Sequence, residues 1–210
     1  MATILCFGDS NTWGISPAGH RYDESERWTS LLADKLANTH TIIEAGQPNR
    51  TLIHNAPFSV VDSGGNVSGI RYLKPYLEAH KPDVVMLMLG TNDLKKRFNL
   101  SAIEVAQGMY QLAMQTLNFE YADKNNAPKV IIISPPPIFE VAAYLKIYAG
   151  AAEKSQQLAK YYSEVAQKLN CIFFDAGSVI QSCSNEGIHW QAKQHALFAE
   201  AVKDEIMKLC

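Results

Sequence analysis

Near its start the chain reads Leu5-Cys6-Phe7-Gly8-Asp9-Ser10-Asn11-Thr12-Trp13-Gly14, a Gly-Asp-Ser box that closes an apolar run. Near its end, Glu186-Gly187-Ile188-His189 sets a carboxylate and an imidazole three residues apart. A serine hydroxyl is a poor nucleophile until a neighbouring base takes its proton during attack. His189 is the candidate base: one ring nitrogen can accept that proton while a carboxylate on the other fixes the tautomer. Glu186 is one turn of chain upstream, and Gly187 permits the tight backbone such a reach demands. The chemistry of this trio is acyl transfer through a serine ester.

Alone, Glu-x-x-His is a weak signal, because pairs with that spacing are common on helix surfaces. Its weight comes from the Gly-Asp-Ser box. The other histidines (His20, His40, His54, His80, His195) have no carboxylate three residues upstream in a comparable loop, and are read as surface or packing residues. An ester reaction also needs donors for the developing oxyanion. Asn92, in Gly90-Thr91-Asn92-Asp93, can offer its side-chain amide, and the Ser10 backbone N–H is a second donor. Asn is also a common cap or turn residue, and the serine and histidine elsewhere tip Asn92 toward the donor role. On position alone, Trp13 and Lys95 are the expected pocket residues.

These positions must be brought together by the elements between them. Short apolar runs alternate with longer amphipathic segments, the pattern of β-α units on a parallel sheet. Strands are expected at Thr3–Gly8, Thr41–Ala45, Asp83–Leu89, Lys129–Ser134 and Cys171–Asp175. Helices are expected at Arg27–Ala37, Gly69–His80, Ala102–Asp123, Gly150–Leu169 and Gln191–Leu209. Strands that are apolar nearly throughout fit a sheet covered on both faces. Long connections from Gly14 to Glu26 and from Gln47 to Val67 are read as pocket walls, lids or subunit contacts. Pro135-Pro136-Pro137 ends the fourth strand. Ligands of open parallel sheets sit beyond the carboxyl ends of the strands, and Ser10, Asn49, Asn92, Glu186 and His189 all fall there.

The 210 residues are 47% hydrophobic and 19% charged, which suits one domain over 1–210. A formal net charge of −2 carries no footprint for nucleic acid, and Lys95-Lys96-Arg97 is read as a solvated loop or helix start. The apolar stretch from Val84 to Leu89 is far short of a membrane span, and no leader is expected at the N-terminus. Cys6, Cys171, Cys183 and Cys210 lack C-x-x-C or metal-ligand spacing and read as reduced thiols. The expectation is a cytoplasmic protein without metal or cofactor that binds neither nucleic acid nor membrane. The nucleophile elbow G-x-S-x-G is absent, as are H-E-x-x-H, a Walker loop and G-x-G-x-x-G.

Taken in order, these residues resemble the SGNH (GDSL) hydrolase family across essentially the whole chain. Gly8-Asp9-Ser10 with Thr12 is similar to its first block, Gly90-x-Asn92-Asp93 to its third, and Glu186-x-x-His189 to its last Asp-x-x-His. Phe7 to Gly14, Arg27-Trp28, Gly46 with Arg50-Thr51, Gly90 to Lys95, Ser134 to Pro137 and Phe173 to Ile180 resemble the bacterial arylesterase and acyltransferase branch. The resemblance implies a three-layer α/β/α sandwich with a five-stranded parallel sheet of flavodoxin-like order. It implies a serine acyl-enzyme that hydrolyses small carboxylic esters, in some members passing the acyl group to alcohols or peroxide. It also implies a homo-oligomer whose neighbouring subunits wall the pocket. From the second block it implies that Asn49 donates a backbone N–H to the oxyanion.

Two positions depart from the pattern. Glu186 stands where the family has aspartate, with Asp175 as the reserve acid, and Asn49 stands where a glycine or small residue is usual. The leading expectation is an esterase built on Ser10, His189 and Glu186, with Ser10, Asn49 and Asn92 as the oxyanion hole. Acyltransferase or perhydrolase action, carbohydrate acetylester hydrolysis and a degenerate, non-enzymatic binding scaffold are the competing expectations.

Overall fold

The computed structural model describes residues 1–55, 68–121 and 127–208. Five strands, β1 (Ala2–Gly8), β2 (His40–Gly46), β3 (Val84–Met88), β4 (Lys129–Ser134) and β5 (Ile172–Asp175), form one sheet in the order β2-β1-β3-β4-β5. All four pairings are parallel. This is the flavodoxin-like order, whose switch point lies where the chain leaves β1 to either side. Among the described residues, α1 (Ser10–Trp13), α2 (Trp28–Leu36), α3 (Gly69–His80), α4 (Ala102–Leu117) and α5 (Ala151–Leu169) lie between strands, and α6 (Ala192–Met207) follows β5.

Alternation along each strand sends successive side chains to opposite faces. Leu5, Phe7, Val85, Leu87, Val130 and Ile132 join Leu73 and Leu77 of α3, Met109 and Leu112 of α4, and Leu158 and Tyr162 of α5. On the other face Ile4, Cys6, Met86, Met88, Ile131 and Ile133 pack against Trp28 and Leu32 of α2 and Phe198, Val202 and Ile206 of α6. The three-layer sandwich follows from that division. Burying both faces explains why β3 is apolar at every position, since neither of its sides meets water.

Strand positions agree with the expected ones to within about two residues at either end, the usual scatter of element boundaries. One helix differs. The α4 helix starts on a capping box between Ser101 and Glu104, but it ends at Leu117 rather than running to Asp123. Tyr121 is the reason: its buried ring packs edge-on to Phe119, and its Oη donates to the Pro82 carbonyl at 2.9 Å, which requires extended chain. Asp123 itself, Leu209 at the expected end of α6, residues 56–67 of the second long connection and Cys210 lie outside the described residues.

The register aligns the carboxyl ends of the central strands: Gly8 of β1 pairs with Gly46 of β2 and Met88 of β3. Gly46 allows α1 to settle on this edge, since a Cβ there would stand 2.2 Å from the Trp13 nitrogen. The first long connection folds back on the same edge through an Ile15–Arg21 bridge, and Tyr22 Oη donates to the Trp190 carbonyl at 3.3 Å.

Candidate active site

Ser10 is the first residue of α1, directly beyond β1, and the Asp9 carboxylate caps that helix by accepting the Asn11 N–H at 3.0 Å. Ser10 Oγ lies 3.0 Å from His189 Nε2, and His189 Nδ1 lies 2.6 Å from Glu186 Oε1. An ionised carboxylate only accepts, so the proton sits on Nδ1 and leaves Nε2 as acceptor for the serine hydroxyl. Ser10 and His189 are both buried, at 7% and 6% exposure, in a setting where water competes weakly for these bonds.

The turn carrying Glu186 accommodates its extra methylene. Cys183 N–H donates to the His189 carbonyl, while Glu186 and Gly187 N–H both donate to the Cys183 carbonyl. Glu186 Oε2 accepts the Ile188 and His189 N–H groups at 2.9 and 2.7 Å, so the carboxylate is folded back into its own loop. Half burial draws the Glu186 carboxyl upward. The bond and charge of His189, with those two N–H groups, outweigh it and hold the carboxyl below its ordinary value. Gly187 turns at φ +108 and its carbonyl accepts the Phe139 N–H at 2.9 Å, which docks the segment after β4 on this loop.

Asp175, the reserve acid, is used elsewhere. Its Oδ1 accepts the Gly177 N–H at 3.0 Å and caps the short 3₁₀ turn Ala176–Ser178 at the end of β5.

Asn92 opens a 3₁₀ turn, Asn92–Leu94, beyond β3. Its Nδ2 donates to the Arg50 carbonyl at 3.1 Å and its Oδ1 accepts from Tyr148 Oη at 3.2 Å, which fixes which end of the amide is nitrogen. Asn49 follows β2 with φ +66, a left-handed conformation that asparagine tolerates better than most residues. A glycine would adopt this conformation without strain. The Asn49 Oδ1 accepts from Lys95 Nζ at 2.7 Å. Of the two expected pocket residues, Lys95 is buried against this loop, and Trp13 is half-buried with the Arg21 guanidinium 4.6 Å over its ring.

Three residues at the site have no role assigned from the sequence: Arg50, noted only within a phrase of the resemblance, Tyr144 and Tyr148. Arg50 is almost wholly buried over the Phe7 ring. It donates to the Gly8 carbonyl at 2.9 Å, to Gln47 Oε1 at 3.0 Å and to the Ala45 carbonyl, tying the ends of β1 and β2 together. Tyr148 lies behind Asn92, and the Tyr144 ring stands edge-on to His189 with centroids 5.9 Å apart. Both tyrosines come from 138–150, a connection whose only sequence signal was the prolines preceding it. Beneath the site, burial pushes the Asp9 carboxyl up to about 6 and that of Asp93 up to about 8. Both Asp93 oxygens lie 3.0 Å from the Leu52 N–H. His195 is sealed in the core and its burial lowers its pKa to about 3, in keeping with a packing role.

The family model of the GDSL-like lipase/acylhydrolases matches residues 4–202. The chain belongs to the GDSL lipase/acylhydrolase family. Among solved structures, this GDSL hydrolase is similar to a carbohydrate acetylesterase from Sinorhizobium meliloti, with 33% identity, 100% of each chain covered and a TM-score of 0.93. The aryl esterase of M. smegmatis matches with 34% identity, 100% of each chain and a TM-score of 0.92. A second S. meliloti carbohydrate acetylesterase family member matches with 30% identity, 99% of this chain, 98% of the other and a TM-score of 0.93. No curated protein sequence matches this GDSL hydrolase. As a member of the family it is an ester hydrolase acting on small-molecule esters. Among its described residues no helix is long and apolar enough to cross a membrane, and no group of three or more His, Cys, Asp or Glu could hold a metal ion.

Proposed function

We propose that this hydrolase cleaves small aryl and short-chain acyl esters through an acyl-enzyme on Ser10, with His189 as general base and Glu186 as its orienting carboxylate. The observation that carries this is the unbroken relay from Ser10 Oγ to His189 Nε2 at 3.0 Å and from His189 Nδ1 to Glu186 at 2.6 Å. Ser10 Oγ attacks the ester carbonyl carbon as its proton passes to Nε2. The carbonyl oxygen becomes an oxyanion, met by the Ser10 N–H, the Asn49 N–H and the second N–H of the Asn92 amide, whose first is held by Arg50. Collapse breaks the bond to the leaving oxygen, which takes the proton from His189. Water repeats the cycle on the acyl-serine and restores the enzyme. No step calls on a metal or cofactor.

The whole chain is read as one domain working in the cytoplasm, a compartment that suits the unpaired thiols of Cys6, Cys171 and Cys183. Phe139, Leu145 and Ile147 are exposed at 38%, 51% and 46% on the segment packed beside His189, a surface suited to a homo-oligomer whose partner walls the pocket. Light scattering tests that assembly, and a monomer at assay concentration excludes it.

The likeness to carbohydrate acetylesterases favours a second reading of the substrate, in which the acyl group is acetate on a sugar hydroxyl. The reacting atoms are the same. The acyl group is narrowed to acetate and the leaving alcohol differs, and so does the acceptor if an alcohol or peroxide displaces water in acyl transfer. A fluorophosphonate should label Ser10, as located by mass spectrometry, and Ser10→Ala should abolish turnover of short p-nitrophenyl esters. Labelling elsewhere with Ser10→Ala still active would end the proposal. Comparing p-nitrophenyl acetate with acetylated sugars, each with and without added alcohol, separates the substrate readings.

A further inference from the structure

Asn49 stands where the resemblance implies a glycine or small residue, and its side chain is gripped. Lys95 Nζ donates to Asn49 Oδ1 at 2.7 Å, a short charge-assisted bond from a lysine only 6% exposed. The lysine is itself anchored: its N–H donates to the Asn92 carbonyl at 3.3 Å, and its ammonium lies 6.0 Å from the Tyr148 ring centroid. One residue further along the same loop, the Arg50 carbonyl receives the Asn92 amide at 3.1 Å. The Asn49–Arg50 stretch is therefore held at two points by a single turn, that of Asn92 to Lys95. Arg50 is fixed besides by its N–H to the Gln47 carbonyl and by its guanidinium, whereas at Asn49 itself, in left-handed backbone at φ +66, the side-chain bond to Lys95 ties the peptide to the Asn92–Lys95 turn.

We infer that Lys95 and Asn49 form a clamp that keeps the Asn49 N–H in register with the Asn92 amide, with Lys95 a positioning residue that acts through the Asn49 side chain. The clamp rests on the proposed esterase reaction, in which both groups meet the same oxyanion. It does what glycine cannot: it replaces conformational freedom at this donor with a fixed direction, and sets both donors from one 3₁₀ turn. Preorganised donors lower the barrier because they need not reorganise as charge develops.

The experiment is a double-mutant cycle on p-nitrophenyl acetate with the full chain, using Lys95→Met, Asn49→Gly and both together. Inhibition by a trifluoromethyl ketone, which forms an oxyanionic adduct with the serine, is measured alongside. Each single change should lower kcat by about tenfold with KM within about twofold, and weaken the ketone by a similar factor. The double variant should be no slower than either single one, because both break the same bond. Multiplying losses, or a Lys95→Met loss falling on KM, would mean that Lys95 meets the substrate itself, and the clamp is overturned. Should Lys95→Met fail to fold, Asn49→Gly removes the bond without touching the core, and turnover equal to the parent then overturns the clamp. Ser10→Ala tells the two levels apart, since activity surviving that change defeats the esterase reaction, whereas additivity in a Ser10-dependent enzyme defeats the clamp alone.

Discussion

Tyr148 Oη donates to Asn92 Oδ1 at 3.2 Å from a side chain sealed in the core. With the oxygen end of the amide committed to the tyrosine, the nitrogen end must face Arg50 and the proposed oxyanion. A tyrosine buried this fully keeps its proton, its pKa driven well up by desolvation and then by the neighbouring Asp9, so it remains a donor throughout the working pH range.

Tyr148→Phe should therefore lower kcat by about tenfold while leaving KM near the parent value, since the amide loses its orientation but the pocket keeps its shape. The missing bond should cost about 1 kcal/mol in stability. Steady-state kinetics and urea unfolding measure the two effects. An unchanged kcat would show that Arg50 alone orients Asn92.

The choice of acid is tested by three substitutions. Glu186→Gln offers Nδ1 an amide that can present N–H instead of oxygen, and turnover should fall by about 10²–10⁴. Glu186→Asp should keep more activity than Glu186→Gln, because its carboxylate still accepts from Nδ1–H. Asp175→Asn should stay within about twofold of the parent, since asparagine caps as well as aspartate. A silent Glu186→Gln with a dead Asp175→Asn would reverse the assignment.

Gly187→Ala should damage stability and activity together. The backbone there is at φ +108, and an added Cβ would lie 2.3 Å from the Phe139 carbonyl oxygen. Both the strain and the broken contact between the catalytic loop and the segment after β4 count, for about 2 kcal/mol or more. Denaturant unfolding reads the first and kcat on p-nitrophenyl acetate the second. A variant as stable as the parent would mean that the loop relaxes at no cost.

Asp93 sets a pH dependence of stability. Its folded pKa is raised to about 8 by burial, against about 3.9 in an unfolded chain. Below the unfolded value both states are protonated. As pH rises the unfolded state ionises first, so stability falls from about pH 4 and levels off above about pH 8. Asp9, raised to about 6, acts in the same direction over a narrower range. Asp93→Asn keeps an acceptor for the Leu52 N–H but no titrating group, and its melting temperature should decline less over that window. Parallel declines for variant and parent would exclude Asp93 as the source.

Several parts of this protein were legible before folding because they depend on local pattern. The strands followed from apolar runs that two helical layers must cover, and with them the positions of Ser10, Asn92 and His189 beyond strand ends. The end of α4 was not legible, because Tyr121 leaves the helical path to reach Pro82, 39 residues away in sequence. No local propensity encodes such a partner.

The roles of Glu186 and Lys95 show where the division falls. Sequence alone determined that a carboxylate stood one turn from His189 and that a lysine followed the Gly-Thr-Asn-Asp run. Only tertiary structure showed which carboxylate lies against His189, by closing the Cys183–His189 turn around Glu186 and spending Asp175 on a cap of the Ala176–Ser178 turn. It likewise turned Lys95 inward to Asn49, 46 residues earlier, and brought Arg50 and Tyr148 behind the site. The physical reason is range: periodicity and spacing report what neighbours along the chain can do, whereas a buried hydrogen bond between distant loops exists only once strand order has set their separation.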